Sequence, residues 1–204
     1  MDLVEEIVPL RDRELCVLRP RDSEALIDEE QFERDERLPY WAELWPSGVA
    51  LARMVSERSL RGRRVLELGC GGLALPSIAA ALAGGRVLAT DWSAEALSLA
   101  RENAERNDAV IEVAECDWGR PERVLRDAPW DLVLAADVLY ERRHLPVLLD
   151  LLPRLGGEVW LADPNRPPLG EFLEGAAARF EVAGSGSREA AKVGIHRLRL
   201  ANGG

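Results

Sequence analysis

Eight consecutive residues, Val65-Leu66-Glu67-Leu68-Gly69-Cys70-Gly71-Gly72, limit the folds open to this chain more than any other stretch. A short apolar run holding one acid stops abruptly in glycines, and an alanine-rich segment follows from about Leu75 to Leu82. The run at 65–68 reads as a buried strand and the alanine-rich segment as a helix. A strand that feeds a glycine loop and then a helix is a ligand cradle. Glycine permits positive φ and close approach of the backbone, and the first helical turn presents N–H groups without intrahelical partners.

The strand–helix alternation continues along the chain. Segments 86–90, 110–115, 131–135 and 158–162 read as further strands with helical spacing between them. Leu51, Met54 and Val55 share a helix face after Trp45-Pro46-Ser47; Leu97, Ala100 and Ala104 share another after Ser93, a capping residue type. Apolar runs of this kind suit a parallel sheet covered on both faces. Right-handed crossovers then bring the loop-bearing strand ends to one edge, where open α/β sheets bind ligands. Segments 7–10 and 14–18 suggest a hairpin, followed by a helix over 23–36. Segments 180–183 and 195–200 suggest an antiparallel pair closing one sheet edge around a turn that contains Lys192, with a frayed end from Asn202. The expected fold is α/β: a Rossmann-like, seven-stranded, mostly parallel sheet with helices on both faces, its last strands antiparallel. Residues 1–38 are expected as a small hairpin/helix extension packed on a core of residues 39–204, and a chain of 204 residues suits one such core.

The glycine loop also scans as G-x-G-x-x-A through Ala74, which fits a dinucleotide. Glu67 argues against that ligand, because a carboxylate beside the loop repels a pyrophosphate. S-adenosylmethionine (SAM) carries no phosphate and has an ammonium and a sulfonium instead. Asp91 ends the second strand, where a carboxylate can accept both ribose hydroxyls of either cofactor. Asp117 ends the third beside Trp118, where an acid can take an adenine amino group and an aromatic neighbour can cover the ring. Taken singly, each acid is equally a loop acid.

Taken in order, Glu67-Leu-Gly-Cys-Gly71, Asp91-Trp92-Ser, Asp117-Trp118 and Asp137-Val-Leu-Tyr140 resemble the motifs of class I SAM-dependent methyltransferases over roughly residues 38 to 165. The resemblance implies SAM as cofactor, held by Trp45, Glu67, Gly69, Cys70, Gly71, Asp91, Trp92, Asp117, Trp118 and Ala136. One departure is visible: Gly72-Leu73-Ala74-Leu75 reads as a one-residue insertion that displaces the third loop glycine, which leaves the loop conformation open. Within the class, the stretch from Leu38 to Gly48 and that from Ala136 to Glu141 resemble the methyltransferase-like protein lysine methyltransferases. Bacterial nicotinamide N-methyltransferase-like proteins share these stretches. Asp163-Pro-Asn-Arg166 is similar to an Asp-Pro-x-Arg in the members acting on the electron-transfer flavoprotein β subunit.

The residues fit methyl transfer, an in-line displacement that needs a neutral nucleophile near an electrophilic carbon. A lysine with pKa about 10.4 must lose a proton at a cost of roughly 4 kcal/mol near neutral pH, and an aromatic pocket reduces that cost by disfavouring the ammonium. Trp41, Trp45 and Tyr140 are candidates for such a pocket, with Tyr40 beside them. Asp137 and Tyr140 are the candidate catalytic residues; a helical turn after Asp137 would put both on one face. Tyr140 is otherwise a packed aromatic. Trp45 either offers its π face to the sulfonium or packs in the core. Asp163 and Arg166 either gate substrate access or form a loop salt bridge. Trp92, Trp130 and Trp160 read as core or cofactor-wall residues.

Net charge is −10, and residues 1–37 hold thirteen acids against six arginines. Such a field repels phosphate backbones, so no nucleic-acid partner is expected. It mildly favours a basic partner, though an acidic solvated face reads the same way. No apolar run approaches the roughly 18 residues of a membrane span, and Asp2, Glu5 and Glu6 lie where a secretory leader carries base; no membrane partner and a cytoplasmic location are expected. Cys16, Cys70 and Cys116 show no CxxC pairing, and His144 and His196 have no ligand at metal spacing, so no disulfide framework and no metal are expected and neither histidine is given a role. The expected activity is N-methylation of an amine, first a protein lysine. A small nitrogen compound as acceptor, a SAM-binding regulator without turnover and a nicotinamide oxidoreductase stay open; a lone lysine, Lys192, counts against the last.

Overall fold

A computed structural model describes residues 1–27, 38–186 and 193–201. The N-terminal hairpin is β1 (Leu3–Pro9) paired antiparallel with β2 (Glu14–Pro20). The large sheet follows: α1 (Pro46–Ser56), β3 (Arg64–Leu68), α2 (Leu75–Leu82), β4 (Arg86–Asp91), α3 (Ala94–Arg106), β5 (Ile111–Glu115), α4 (Glu122–Arg126), β6 (Leu132–Ala136), α5 (His144–Leu155), β7 (Glu158–Asp163), α6 (Pro168–Ala176), β8 (Phe180–Gly186) and β9 (Gly194–Leu200). Its strand order is β5-β4-β3-β6-β7-β9-β8, with β3 to β7 parallel and β9 antiparallel to both β7 and β8.

Period-two alternation explains the two cores. On β3, Val65 joins one apolar cluster and Leu66 and Leu68 the other; on β6, Leu132 and Leu134 face one side and Val133 and Ala135 the other. The first cluster takes Leu51, Val55 and Ile78 from α1 and α2, and the second takes Leu148, Leu151 and Phe172 from α5 and α6. Ser93 caps α3 as its residue type suggests, its hydroxyl accepting from the Ala96 N–H at 3.1 Å.

The expected strands of the large sheet lie where the sequence puts them, to within three residues at either end. Strand β5 begins one residue late because Val110 is 87% exposed and contributes nothing to a core. The hairpin begins at Leu3 rather than at residue 7. Of the helix expected over 23–36, the structure has a single 3-10 turn, Glu24–Leu26, after which Ile27 is extended. Residues 28–36 lie outside the described residues, as do Lys192 and the end from Asn202. The antiparallel pair at the tail is present, with β9 inserted beside β7 and β8 left as the edge strand. Trp130 and Trp160 are buried, their indole N–H groups donating to the Val124 carbonyl (3.0 Å) and to Glu158 (2.8 Å). Among the described residues, no helix is long and apolar enough to cross a membrane.

Candidate functional site

The C-terminal ends of β3, β4, β6 and β7 meet at one edge of the sheet, and parallel registration makes this a geometric necessity rather than a coincidence of loops. The glycine loop leaves β3 there. Gly69 (φ 68°) and Gly71 (φ 60°) take left-handed conformations, and an added Cβ would stand 3.2 Å from the Trp118 ring and 3.2 Å from the Trp41 carbonyl oxygen, respectively. The displaced third glycine has a structural answer: Ala74 itself adopts φ 45° at the start of α2. The insertion is therefore absorbed by a left-handed alanine, a conformation alanine seldom adopts.

Glu67 is 1% exposed, and one carboxylate oxygen accepts from both the N–H (2.9 Å) and the hydroxyl of Ser77 in the first turn of α2. Burial pushes its carboxyl up to about 7, opposed by the two Ser77 bonds and assisted by Asp91. The acid that distinguishes SAM from a dinucleotide is thus also a cap on the helix that follows it. Asp91 holds the loop from the other side: one oxygen accepts from the Gly71 N–H (2.9 Å) and the other from the Ser93 N–H (3.1 Å). The buried Cys70 thiol is raised well above its ordinary value by desolvation and by Asp91 and Glu67, so it lines the site as a neutral group.

Asp137 follows β6 in a left-handed conformation (φ 59°) and is 8% exposed. Its Oδ1 is bonded to the Arg166 guanidinium, and its Oδ2 is buried without a hydrogen-bond partner. Asp163 at the end of β7 accepts from the Arg166 N–H at 2.7 Å and lies 3.5 Å from the same guanidinium. Burial raises the Asp163 carboxyl, against the pull of Arg166. Arg166 therefore joins two carboxylates, the salt-bridge alternative, while its guanidinium carbon stands 5.7 Å above the Trp45 ring.

An aromatic wall completes the site. The Trp45 indole N–H donates to the Tyr40 carbonyl at 2.8 Å. The Tyr40 ring meets Trp45 and Tyr140 edge-on, at centroid distances of 6.1 and 5.3 Å. The helical turn expected to align Asp137 with Tyr140 is absent, because the left-handed Asp137 starts a turn and α5 begins only at His144; the two residues meet the cavity without sharing a helix face.

Every predicted site residue except Asp117 and Asp163 lines one cavity of about 310 Å³. Tyr40, Trp41, Trp45, Gly69, Gly71, Trp92, Ala136, Asp137, Tyr140 and Arg166 are all among its walls. Asp163 lies behind it, fully buried. Asp117, exposed and accepting from the Gly119 N–H at 2.8 Å, belongs to an adjoining pocket of about 320 Å³ that shares Gly69, Asp91, Trp92, Trp118 and Tyr140 with the first. His144, expected to have no role, packs its ring edge-on against both Trp118 (5.0 Å) and Tyr140 (4.7 Å) in that second pocket. Burial lowers its pKa, so it is a neutral packing partner at neutral pH. The Trp118 contact has no local signal in the sequence, whereas Tyr140 and His144 stand at the four-residue spacing at which helical side chains meet. Among the described residues, no group of three His, Cys, Asp or Glu side chains is placed to hold a metal.

Residues 28–159 match the profile of a family described as lysine methyltransferase. The chain belongs to the lysine methyltransferase family. Among the relatives of this family member, the electron transfer flavoprotein beta subunit lysine methyltransferase of Xenopus laevis is 35% identical over 63% of the chain and 53% of its own length. The EEF1A lysine methyltransferase 3 of Mus musculus is 30% identical over 80% of the chain and 74% of its own length. The chain spans about half the length of the first of these relatives. A 16S rRNA N2 G1207 methyltransferase from T. thermophilus, solved with AdoMet and guanosine, superposes over 98% of the chain and 51% of its own, at a TM-score of 0.67 and 16% identity. That likeness extends to the fold of the family member alone.

Proposed function

We propose that this chain is a SAM-dependent N-methyltransferase whose acceptor is a lysine side chain of a protein. The observation that carries the reading is Asp137: a buried carboxylate in an aromatic cavity, with one oxygen on Arg166 and the other without a hydrogen-bond partner. An unpartnered buried oxygen is costly unless something completes it, and an amine N–H is the complementary group. Family membership and the naming of its relatives as protein lysine methyltransferases support the acceptor class.

The residues fit SAM on their own terms. Gly69 and Gly71 leave space that a side chain would fill, and Glu67 and Asp91 set a negative field suited to a cationic ligand. Trp92 and Trp118 wall the side where Asp117 offers an acceptor for an amino group, while Cys70 and Ala136 line the cavity without charge. When bound, SAM supplies an electrophilic methyl on a sulfonium. Tyr40, Trp41, Trp45 and Tyr140 surround the acceptor with apolar surface and lower the cost of releasing the ammonium proton to water. Asp137 accepts a hydrogen bond from the remaining N–H and aims the lone pair, while Arg166 and Asp163 fix that carboxylate in place. We read residues 1–38 as an extension on a catalytic unit of residues 39–204, and the unpaired thiols of Cys16, Cys70 and Cys116 suit a reducing compartment such as the cytoplasm.

The test is incubation of the purified chain with methyl-labelled SAM and a desalted lysate, followed by acid precipitation and amino-acid analysis. Label recovered as methyl-lysine from the precipitate is the expected result. Label that moves from SAM into a different acid-soluble compound, in a parallel reaction with undesalted extract, replaces the protein acceptor with a small nitrogen compound, and binding of SAM with no transfer to either fraction leaves a regulator.

A further inference from the structure

We propose that Asn103 is a positioning residue for cofactor binding, whose buried carboxamide makes the N-terminal hairpin and the glycine loop one energetic unit; the inference rests on the reading of that loop as the SAM cradle. Asn103 on α3 and Asn107, the residue that caps its C-terminus, stand one turn apart and together take the place of a strand beside β2. Asn103 Oδ1 accepts from the Leu18 N–H (2.6 Å) and its Nδ2 donates to the Leu18 carbonyl (2.9 Å). Asn107 repeats the pattern on Cys16, accepting from its N–H (2.9 Å) and donating to its carbonyl (2.9 Å). A carboxamide has the donor and acceptor of a peptide, and the spacing of positions i and i+4 on a helix, about 6 Å, approximates that of i and i+2 on a strand. The open edge of β2 is thereby paired by side chains.

The two asparagines differ in one bond. The second amide hydrogen of Asn107 returns to its own helix, at the Asn103 carbonyl (2.7 Å), whereas that of Asn103 reaches the Gly72 carbonyl at 2.8 Å. Gly72 is held from the opposite side as well, its N–H donating to the Trp41 carbonyl at 2.8 Å, and the neighbouring Gly71 N–H is held by Asp91. The three successive peptides between Cys70 and Leu73 are thus held by Asp91, Trp41 and Asn103 in turn, and the Asn103 bond is the one that also grips the hairpin. Asn103 has no exposed surface, so water cannot substitute for its amide in the folded chain. Ordering the loop around a ligand then orders the hairpin, and by reciprocity loosening the hairpin weakens the ligand.

The experiment compares Asn103→Ala with Asn107→Ala. Both remove two bonds to β2, but only the first releases Gly72. Calorimetric titration with SAM is expected to show the dissociation constant of Asn103→Ala raised by about tenfold or more and that of Asn107→Ala within about twofold of wild type. The transfer rate of Asn103→Ala at saturating SAM stays within about twofold of wild type, the split that a purely structural lesion would not give. Equal affinities in the two variants overturn the proposal. Should Asn103→Ala fail to fold, amide exchange on the wild-type chain decides: SAM is expected to slow exchange at Cys16 and Leu18, and unchanged rates there alongside slowed Gly71 and Gly72 overturn it. Absence of any SAM binding by the wild-type chain overturns the functional reading and this proposal together, whereas wild-type binding with an unaffected Asn103→Ala removes the proposal alone.

Discussion

Arg166 bonds one oxygen of Asp137 and leaves the other buried with no hydrogen-bond partner. The guanidinium also faces Asp163, so two carboxylates share one cation and the cluster keeps a formal surplus of negative charge for an incoming amine. That arrangement has consequences for catalysis and for stability that separate cleanly.

Replacing Asp137 with Asn keeps the shape and removes the charge. The expected outcome is a fall in kcat/KM of about 100-fold or more, the scale typical of a positioned acid–base group. SAM affinity measured by titration should stay within about threefold of wild type. Turnover equal to wild type would take Asp137 out of the mechanism.

Arg166→Met leaves Asp163 and Asp137 facing each other inside the protein. Breaking such a buried pair typically costs about 3–5 kcal/mol, and Arg166 keeps partial exposure, so a loss of about 2 kcal/mol is expected by denaturant titration. The deficit should grow with pH. The folded-state pKa of Asp163 is already raised by burial and rises further without the guanidinium, so its protonated form favours the fold at low pH and that contribution disappears as pH climbs through the folded value. Melting curves at pH 5 and pH 8 check the sign.

Glu67 makes the chain more stable in acid than its other carboxylates alone would allow. Its folded pKa of about 7 lies above the ordinary 4.5, so its stabilising contribution is complete below 4.5 and is lost as pH rises through 7; the difference amounts to about 3 kcal/mol. Glu67→Gln should flatten the stability profile across that window. A cationic ligand favours the carboxylate, so SAM binding near pH 7 should release protons, read as a buffer-dependent binding enthalpy that the Gln variant lacks.

Gly71→Ala places a side chain at φ 60° with its Cβ 3.2 Å from the Trp41 carbonyl oxygen. The strained conformation alone costs about 1 to 2 kcal/mol, and relief requires the segment around Trp41 to shift. SAM affinity should fall by about tenfold or more; an unchanged dissociation constant would show that the loop does not meet the ligand closely.

The sheet and the strand-end acids were readable in the sequence because both rest on short-range patterns. The run from Val65 to Gly72 carries its own strand, turn and helix signals, and alternation along β3 and β6 sorts Val65 from Leu66 and Leu132 from Val133 onto opposite faces. What was not readable depends on contacts distant in sequence. The Arg166 bond to Asp137, the packing of His144 on Trp118 and the Asn103 bonds to Leu18 and Gly72 span gaps that no local spacing encodes. Asn103 had one available signal: an amide on the apolar stripe of Leu97, Ala100 and Ala104, where a polar residue needs buried partners. The left-handed conformation of Asp137 had none, since a helical turn toward Tyr140 is the ordinary continuation of such a segment.

The stretch from Tyr40 to Trp45 forms no part of either sheet, and among the described residues its hydrogen bond to the glycine loop is made through the Trp41 backbone oxygen, the Trp41 ring adding only a packing contact beside Gly72. Its rings are consequently an exchangeable facing on a fixed frame. Grafting a different six-residue sequence there would retain every ladder bond of the sheets and the peptide contact to Gly72 while recutting the outline presented to an acceptor, so descent from a common ancestor could diversify targets at this strip without rebuilding the machinery behind it.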